Sequence, residues 1–297
     1  DDPEISDYEY DMMMKELKKL EKDHPEYVTP SSPTQHVGGS AKREAGVLVR
    51  HRVPMLSLQD VFSKEEVQEF VESMQETLVD PVFVVEYKID GLSMALRYEN
   101  GLLTTAITRG DGIIQGEDVT VNAKVIKDVK NKLKEPIEYL EVRGEVYMTN
   151  EAFDKVNEIQ ELNNKKTFAN PRNCAAGTLR QLDSRITKQR NLSMFIFNIQ
   201  DIRGKEITSH SQGYEYLKIQ GMKVIDNYQI CHSFEEVWKA IEIIGESRDQ
   251  LGYDIDGAVV KIDSYAQRQQ LGQTAKVPRW AVAHKYPPEE VQTQVLD

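Results

Sequence analysis

The chain has 297 residues, 39% hydrophobic and 29% charged, with a formal net charge of -12. That is room for one large domain, or a large one with a small one, in an ordinary globular mix. No apolar run approaches the ~18 residues of a membrane helix, no signal peptide opens the chain, and the net acidity excludes a surface that is basic all over.

In chain order, residues 6–24 predict a helix. Ser6-x-x-Glu9 is a capping box, Tyr10, Met13, Leu17 and Leu20 recur at helical spacing, and Pro25 stands just past the end. "TPSSPTQHVGGSAKREAG" reads as a linker and sets a domain boundary near residue 45. A strand is predicted over 82–89. Two more, 92–98 and 102–108, flank the hairpin signal Asn100-Gly101. Residues 140–148 alternate as a strand, and Phe153, Val156, Ile159 and Leu162 mark a helix. Further strands are predicted over 192–199, 222–230, 255–262 and 280–286, with a capped helix from Ser233 to about residue 251. Hairpins interspersed with helices imply an α+β fold of antiparallel sheets. Cys174 and Cys231 make no CxxC pair and no zinc set, and such sparse cysteine fits a reducing cytoplasm. The opening Asp1, in place of Met, points to a fragment or a processed form.

Charge is uneven. Residues 1–30 carry ten acids and four Lys, whereas residues 163–190 carry seven Lys/Arg and one Asp. A concentrated basic segment on an acidic protein suits either a solvated helix face or a polyanion contact.

Three lysines end or line strands beside acids and glycines: Lys88 in "EYKIDG", Lys261 in "DIDGAVVK" and Lys285 in "WAVAHKY". "TRGDG" and "EVRGEVYM" accompany them. One such lysine alone is an ordinary surface residue; the ordered set suits nucleotidyl transfer. A lysine amine attacks an α-phosphate only when deprotonated. Desolvation and nearby cations (Lys261, Lys285, Arg109) are expected to favour that form. Gly91 is expected to let backbone approach the nucleotide. Glu145 or Asp256 is a candidate for Mg²⁺ or for a ribose hydroxyl.

With "PEISDYEYD", "SPTQHVGG", "HRVPMLSLQDVF", "FANPRNCAAGTLRQLD" and "PRWAVAHKYP" added in the same order, nearly the whole chain resembles the adenylation region of bacterial NAD⁺-dependent DNA ligases, covalent nucleotidyltransferases. The resemblance implies a nucleotidyltransferase domain over 46–297, preceded by a truncated helical domain for nicotinamide mononucleotide (NMN) plus linker over 1–45. It implies that Lys88 takes AMP from NAD⁺ while Asp90 orients it. Glu86 would read the adenine amino group, Ser57 and Leu58 would close round the nucleoside, and Phe197 would stack on the base. Arg109 and Glu145 would hold ribose and phosphate, and Lys261 and Lys285 the α-phosphate. Arg172 and Arg180 would meet the adenylate or the DNA backbone. Asp7 and Asp11, four apart on one helix face with Tyr10 beside them, would suit a cationic nicotinamide. The partner implied is nicked double-stranded DNA, with NAD⁺ as AMP donor and Mg²⁺ as cofactor. The setting implied is a monomer in a bacterial cytoplasm, at the nucleoid and off any membrane, serving replication and repair.

The chain departs from the family pattern in four places. It begins after an upstream helix that carries an aromatic residue and a histidine. Phe197 stands where tyrosine is common, Asp60 where asparagine is frequent, and "TRGDGIIQGED" is one residue longer than usual. The competing readings are an ATP- or GTP-using ligase or capping enzyme, opposed by the acidic helix, and a non-catalytic nucleic-acid-binding relative, opposed by the complete lysine set.

Overall fold

The computed structural model describes residues 5–29, 31–34 and 46–288, the Asp7 side chain excepted. The predicted boundary near residue 45 therefore lies outside the described residues. The elements are α1 (Asp7–Asp23), β1 (Leu48–Arg50), β2 (Gln59–Val61), α2 (Lys64–Thr77), β3 (Phe83–Ile89), β4 (Leu92–Glu99), β5 (Leu102–Thr108), β6 (Gln115–Glu117), α3 (Thr120–Ala123) and β7 (Tyr139–Tyr147). Then follow α4 (Asn150–Leu162), α5 (Pro171–Leu179), α6 (Ser184–Gln189), β8 (Ser193–Arg203), α7 (His210–Ile219), β9 (Gln229–Cys231), α8 (Phe234–Ser247), β10 (Ile255–Ile262), α9 (Tyr265–Leu271) and β11 (Ala281–Lys285).

Two sheets carry the fold. One has the order β2-β11-β10-β3-β9, the other β5-β4-β7-β8, and β1 pairs with β6 in a separate ribbon. Pairing is antiparallel, as expected, apart from the parallel β2–β11 edge. The chain passes from the first sheet to the second through Asp90-Gly91. A Cβ on Gly91 would sit 2.2 Å from the Val146 carbonyl oxygen. Glycine here is required by the close approach of β7, a reason the sequence alone assigned to the nucleotide.

One continuous core joins the sheets and their helices, including Val85, Leu96, Val142, Met194, Ile241 and Val260. Each such side chain contributes roughly 1.5–3 kcal/mol on burial. Helices α2 and α8 cover the first sheet through Val67, Val71 and Met74 and through Val237, Ile241 and Ile244. The Ser6–Glu9 capping box forms as predicted.

The expected strand over 222–230 is reduced to β9 and a single bridge from Val224 to Ile196. Asp226 and Asn227 lie between, and both residue types favour turns. Helix α2 escaped prediction although Ser63 accepts from the Glu66 amide, the same capping signature used elsewhere.

Candidate active site

Lys88 sits on β3 opposite Gly257 of β10, and Gly257 in turn lies opposite Lys285 of β11. Facing residues of antiparallel neighbours share a sheet face, so the two lysines flank the glycine in one row. Between Ile255 and Gly257 the register slips by one residue. Asp256 is the extra residue of this bulge, and a bulge re-aims its side chain. Lys88 Nζ donates to Asp256 Oδ1 and Oδ2, each at 3.2 Å, and Lys285 Nζ donates to Oδ2 at 2.9 Å. Burial opposes ionisation of Asp256, but the Lys88 and Lys285 ammoniums outweigh it and hold the carboxyl at about 2. A Cβ on Gly257 would meet the His284 carbonyl oxygen at 2.3 Å and the Lys88 side chain at 3.4 Å.

Lys285 also pairs with Asp11 Oδ2 of α1 at 2.6 Å. Burial works against its charge; Asp256, Asp11 and Asp60 prevail and raise its affinity for the proton. The same burial pushes the Asp60 carboxyl up, and neighbouring Asp11 and Asp256 add to that. Helix α1 is further held by Lys15, 2.7 Å from Glu66, and by Tyr8, edge-on to Phe62 at 5.8 Å.

Lys261 is elsewhere. It faces Val84, four residues from Lys88 along the strand, or ~13 Å at 3.3 Å per residue. Its ammonium pairs with the buried Glu86 carboxylate. The expectation that Lys261 joins Lys285 at the α-phosphate is thus not what the register brings together. Glu86 Oε2 also accepts from His210 Nε2 at 3.2 Å and from the Tyr214 hydroxyl. Burial disfavours the Glu86 anion, yet Lys261 and His210 hold its carboxyl at about 2. Burial likewise keeps His210 neutral, its pKa brought down to about 4. Phe197 of β8 completes the group: Lys261 Nζ lies 5.0 Å from its ring centroid and the Arg143 guanidinium 5.4 Å.

A third set closes one side. Arg109 donates to the Met55 carbonyl at 3.0 Å and to Ser57 Oγ at 2.6 Å. Arg143 donates to the Leu56 carbonyl at 2.8 Å and to Ser93 Oγ at 3.1 Å. Ser93 donates to Glu145 at 2.9 Å. Half-buried Leu58 lies on the same 55–58 segment. Burial raises the Glu145 carboxyl, against the pull of Lys88 and Arg143.

On α5, Arg172 faces Asp90 at 3.8 Å, and Arg180 at the end of that helix faces Glu117 at 3.3 Å. Both keep about half their side chains exposed. Asp90 is anchored by its amide to the Asp254 carbonyl at 3.0 Å.

A cleft of about 260 Å³ opens between α1 and Lys285, lined by Ser6, Tyr8, Asp90, Asn170, Asp256 and others. Tyr8, not Tyr10, lines it. Tyr10 is 47% exposed. Helical spacing does not decide between them, since Tyr8 is three residues from Asp11 and Tyr10 three from Asp7. The Asp7 side chain lies outside the described residues. His210 and Tyr214 escaped sequence reading altogether, since nothing local in α7 signals a carboxylate partner on β3.

As a Mg²⁺ ligand Asp256 is already committed, both oxygens accepting from lysines. Glu145 has one oxygen engaged by Ser93. Among the described residues no three His, Cys, Asp or Glu side chains group to hold a metal.

Residues 46–289 match the model of the NAD-dependent DNA ligase adenylation domain, and residues 1–38 that of the DNA ligase-like, N-terminal NAD+-binding domain. The chain is 56% identical over 297 residues to a DNA ligase of Clostridium kluyveri, and 53% identical over 299 residues to one of Caldicellulosiruptor bescii. Each alignment takes in 100% of this chain and 44% of the relative, so the chain spans less than half of those proteins. A solved mycobacterial DNA ligase D complexed with ATP and MES aligns with a TM-score of 0.43 at 11% identity, over 77% of this chain and 60% of that one. With the family model matched across most of its length, the chain belongs to the NAD-dependent DNA ligase adenylation family.

Proposed function

We propose that this chain transfers AMP from NAD⁺ to its own Lys88. The observation that carries the reading is the Lys88–Asp256–Lys285 row, with an acceptor–donor pair on the same strands, Glu86 two and Lys261 four positions along from Lys88. The adenine edge lies against Glu86 and Lys261 and its face on Phe197. Arg109, Glu145, Ser57 and Leu58 flank the ribose. Lys88, once neutral, attacks the α-phosphorus. A nitrogen–phosphorus bond forms, the bond to the NMN phosphate oxygen breaks, and NMN leaves. Lys285 balances the charge on the phosphate, which requires its pair with Asp11 to open. Asp256 holds the Lys88 amine in place, and Asp90, 3.8 Å from Arg172, orients the turn. Arg172 and Arg180 lie ready for the adenylate or for a DNA phosphate.

Among the described residues the carboxylates form no Mg²⁺ cage of their own. Mg²⁺ is commonly bound by one or two carboxylates together with substrate phosphates, and Glu145 is the residue we assign to it. Residues 1–45 form the NMN end and 46–297 the adenylation domain. In the whole protein AMP then passes to a 5′-phosphate of nicked double-stranded DNA and a 3′-hydroxyl seals the nick. That work belongs to replication and repair, by a monomer in a bacterial cytoplasm at the nucleoid. Among the described residues no helix is long and apolar enough to cross a membrane.

The choice of donor is tested by incubating the chain with NAD⁺ or ATP and quantifying bound AMP and free NMN. The reading expects one NMN released per AMP bound, and no adduct from ATP. An adduct from ATP but not from NAD⁺ would overturn it in favour of the ATP-using alternative.

A further inference from the structure

Glu86 offers about four lone-pair sites when ionised. His210 and Tyr214 both donate to Oε2, and Lys261 donates to Oε1. The Tyr214 hydroxyl has a single proton. Its contact with Glu86 is shorter than its 3.2 Å contact with the Phe197 carbonyl, so the carboxylate receives it. All three donors are buried, each at 4% exposure or less. The carboxylate plane is therefore fixed, with Oε2 saturated and only Oε1 open beside the Lys261 ammonium.

We propose that His210 and Tyr214 are positioning residues that set nucleobase selectivity, by locking Glu86 as an acceptor whose open oxygen stands next to one donor. The proposal rests on the reading that Glu86 and Lys261 face the base. Adenine presents an amino donor next to a ring-nitrogen acceptor, which matches that acceptor–donor order. A 6-oxopurine presents the reverse order, so its carbonyl would meet a carboxylate and its N–H an ammonium. Buried polar groups left mismatched in this way reject an analogue strongly. A carboxylate free to rotate, or able to take a proton, would lose this discrimination, because it could turn another edge or donate. The neutral state of His210 supports the arrangement: its Nε2–H donates without adding a second cation to the site.

The experiment compares self-adenylylation of the full chain by NAD⁺ and by its deaminated analogue, in which hypoxanthine replaces adenine. The proteins are wild type, Tyr214→Phe, His210→Leu and His210→Gln, with melting curves recorded for each. Tyr214→Phe keeps the ring that packs 4.3 Å from His210 and removes one hydroxyl, so it is the variant least able to disturb the fold. Tyr214→Phe and His210→Leu are expected to lower the preference for NAD⁺ about tenfold, as for one lost hydrogen bond to a charged group. The loss should fall in the donor concentration that gives half the limiting rate more than in the limiting rate itself. His210→Gln retains an amide donor and should restore most of the preference. If both donors slow by the same factor in Tyr214→Phe, the residue only supports the fold and the proposal is overturned. If wild type itself does not distinguish the two donors, the assignment of Glu86 and Lys261 to the base fails, and the proposal with it.

Discussion

The buried group around Glu86 makes a prediction about acid. Unfolded histidine takes up its proton near ~6.5, whereas His210 in the fold does so only near about 4. Between those values the unfolded chain binds more protons, so stability falls as pH drops from ~6.5 towards 4. The groups facing His210 are Glu86, Lys261, Arg268 and Tyr214. Glu86 adds a second loss at lower pH, because its stabilising ionisation disappears from ~4.5 down through about 2. Melting temperatures across this range should therefore show a slope between ~6.5 and 4 that His210→Gln flattens, leaving the lower slope in place. An unchanged upper slope in that variant would mean other groups cause it. At this scale the sequence was legible where chemistry is written locally. The lysine two residues before Asp90-Gly91 is such a case. It was silent where register decides, because no local pattern reveals that Lys261 faces Val84 and pairs with Glu86.

Helix α1 is the element whose position decides access to Lys285. It carries a capping box and ends just before Pro25, so its existence and ends were readable from the sequence. Its docking was not, since Lys15–Glu66 and Tyr8–Phe62 join segments some fifty residues apart. Asp11→Ala removes the carboxylate proposed to meet the cationic nicotinamide once its pair with Lys285 opens, but leaves the Glu86, Lys261 and Phe197 group intact. Self-adenylylation by NAD⁺ should slow about tenfold or more, as for a lost charge-assisted hydrogen bond of ~1.5–3 kcal/mol. Affinity for an adenosine-site inhibitor, measured by calorimetry, should stay the same. Equal loss of both would make Asp11 a support of the fold. Helices α5 and α6 belong to the basic segment, and here the structure separates surface from support. Arg185 and Lys188 are exposed, whereas Arg190 donates to Thr178 at 3.0 Å and lies 5.2 Å over Phe168. Reversing Arg185 and Lys188 to Glu should therefore weaken binding of nicked duplex and lessen its salt dependence without lowering the melting temperature. Tight, salt-sensitive binding that survives the reversal would remove this face from the DNA reading. Adding Arg190→Glu should destabilise the fold as well, by loss of that packing.

Across the whole molecule, two largely antiparallel sheets meet where β3 turns into β4, and Lys88 stands at that junction. The α+β class and most central strands were legible because alternation and turn residues report them directly. The edge strands β1, β2 and β6 were not, each being three residues long with little periodicity to read. The proposed function comes down to one assignment of chemistry: the Lys88 amine at this junction would become the carrier of AMP. Intact-mass analysis after incubation with NAD⁺, followed by peptide mapping, tests that claim most directly. One AMP per chain is expected, on the peptide that holds Lys88. It should be absent from Lys88→Ala, and from Lys88→Arg, whose guanidinium stays protonated. An adduct that persists in Lys88→Ala, or that maps to Lys261 or Lys285 in wild type, would contradict the account.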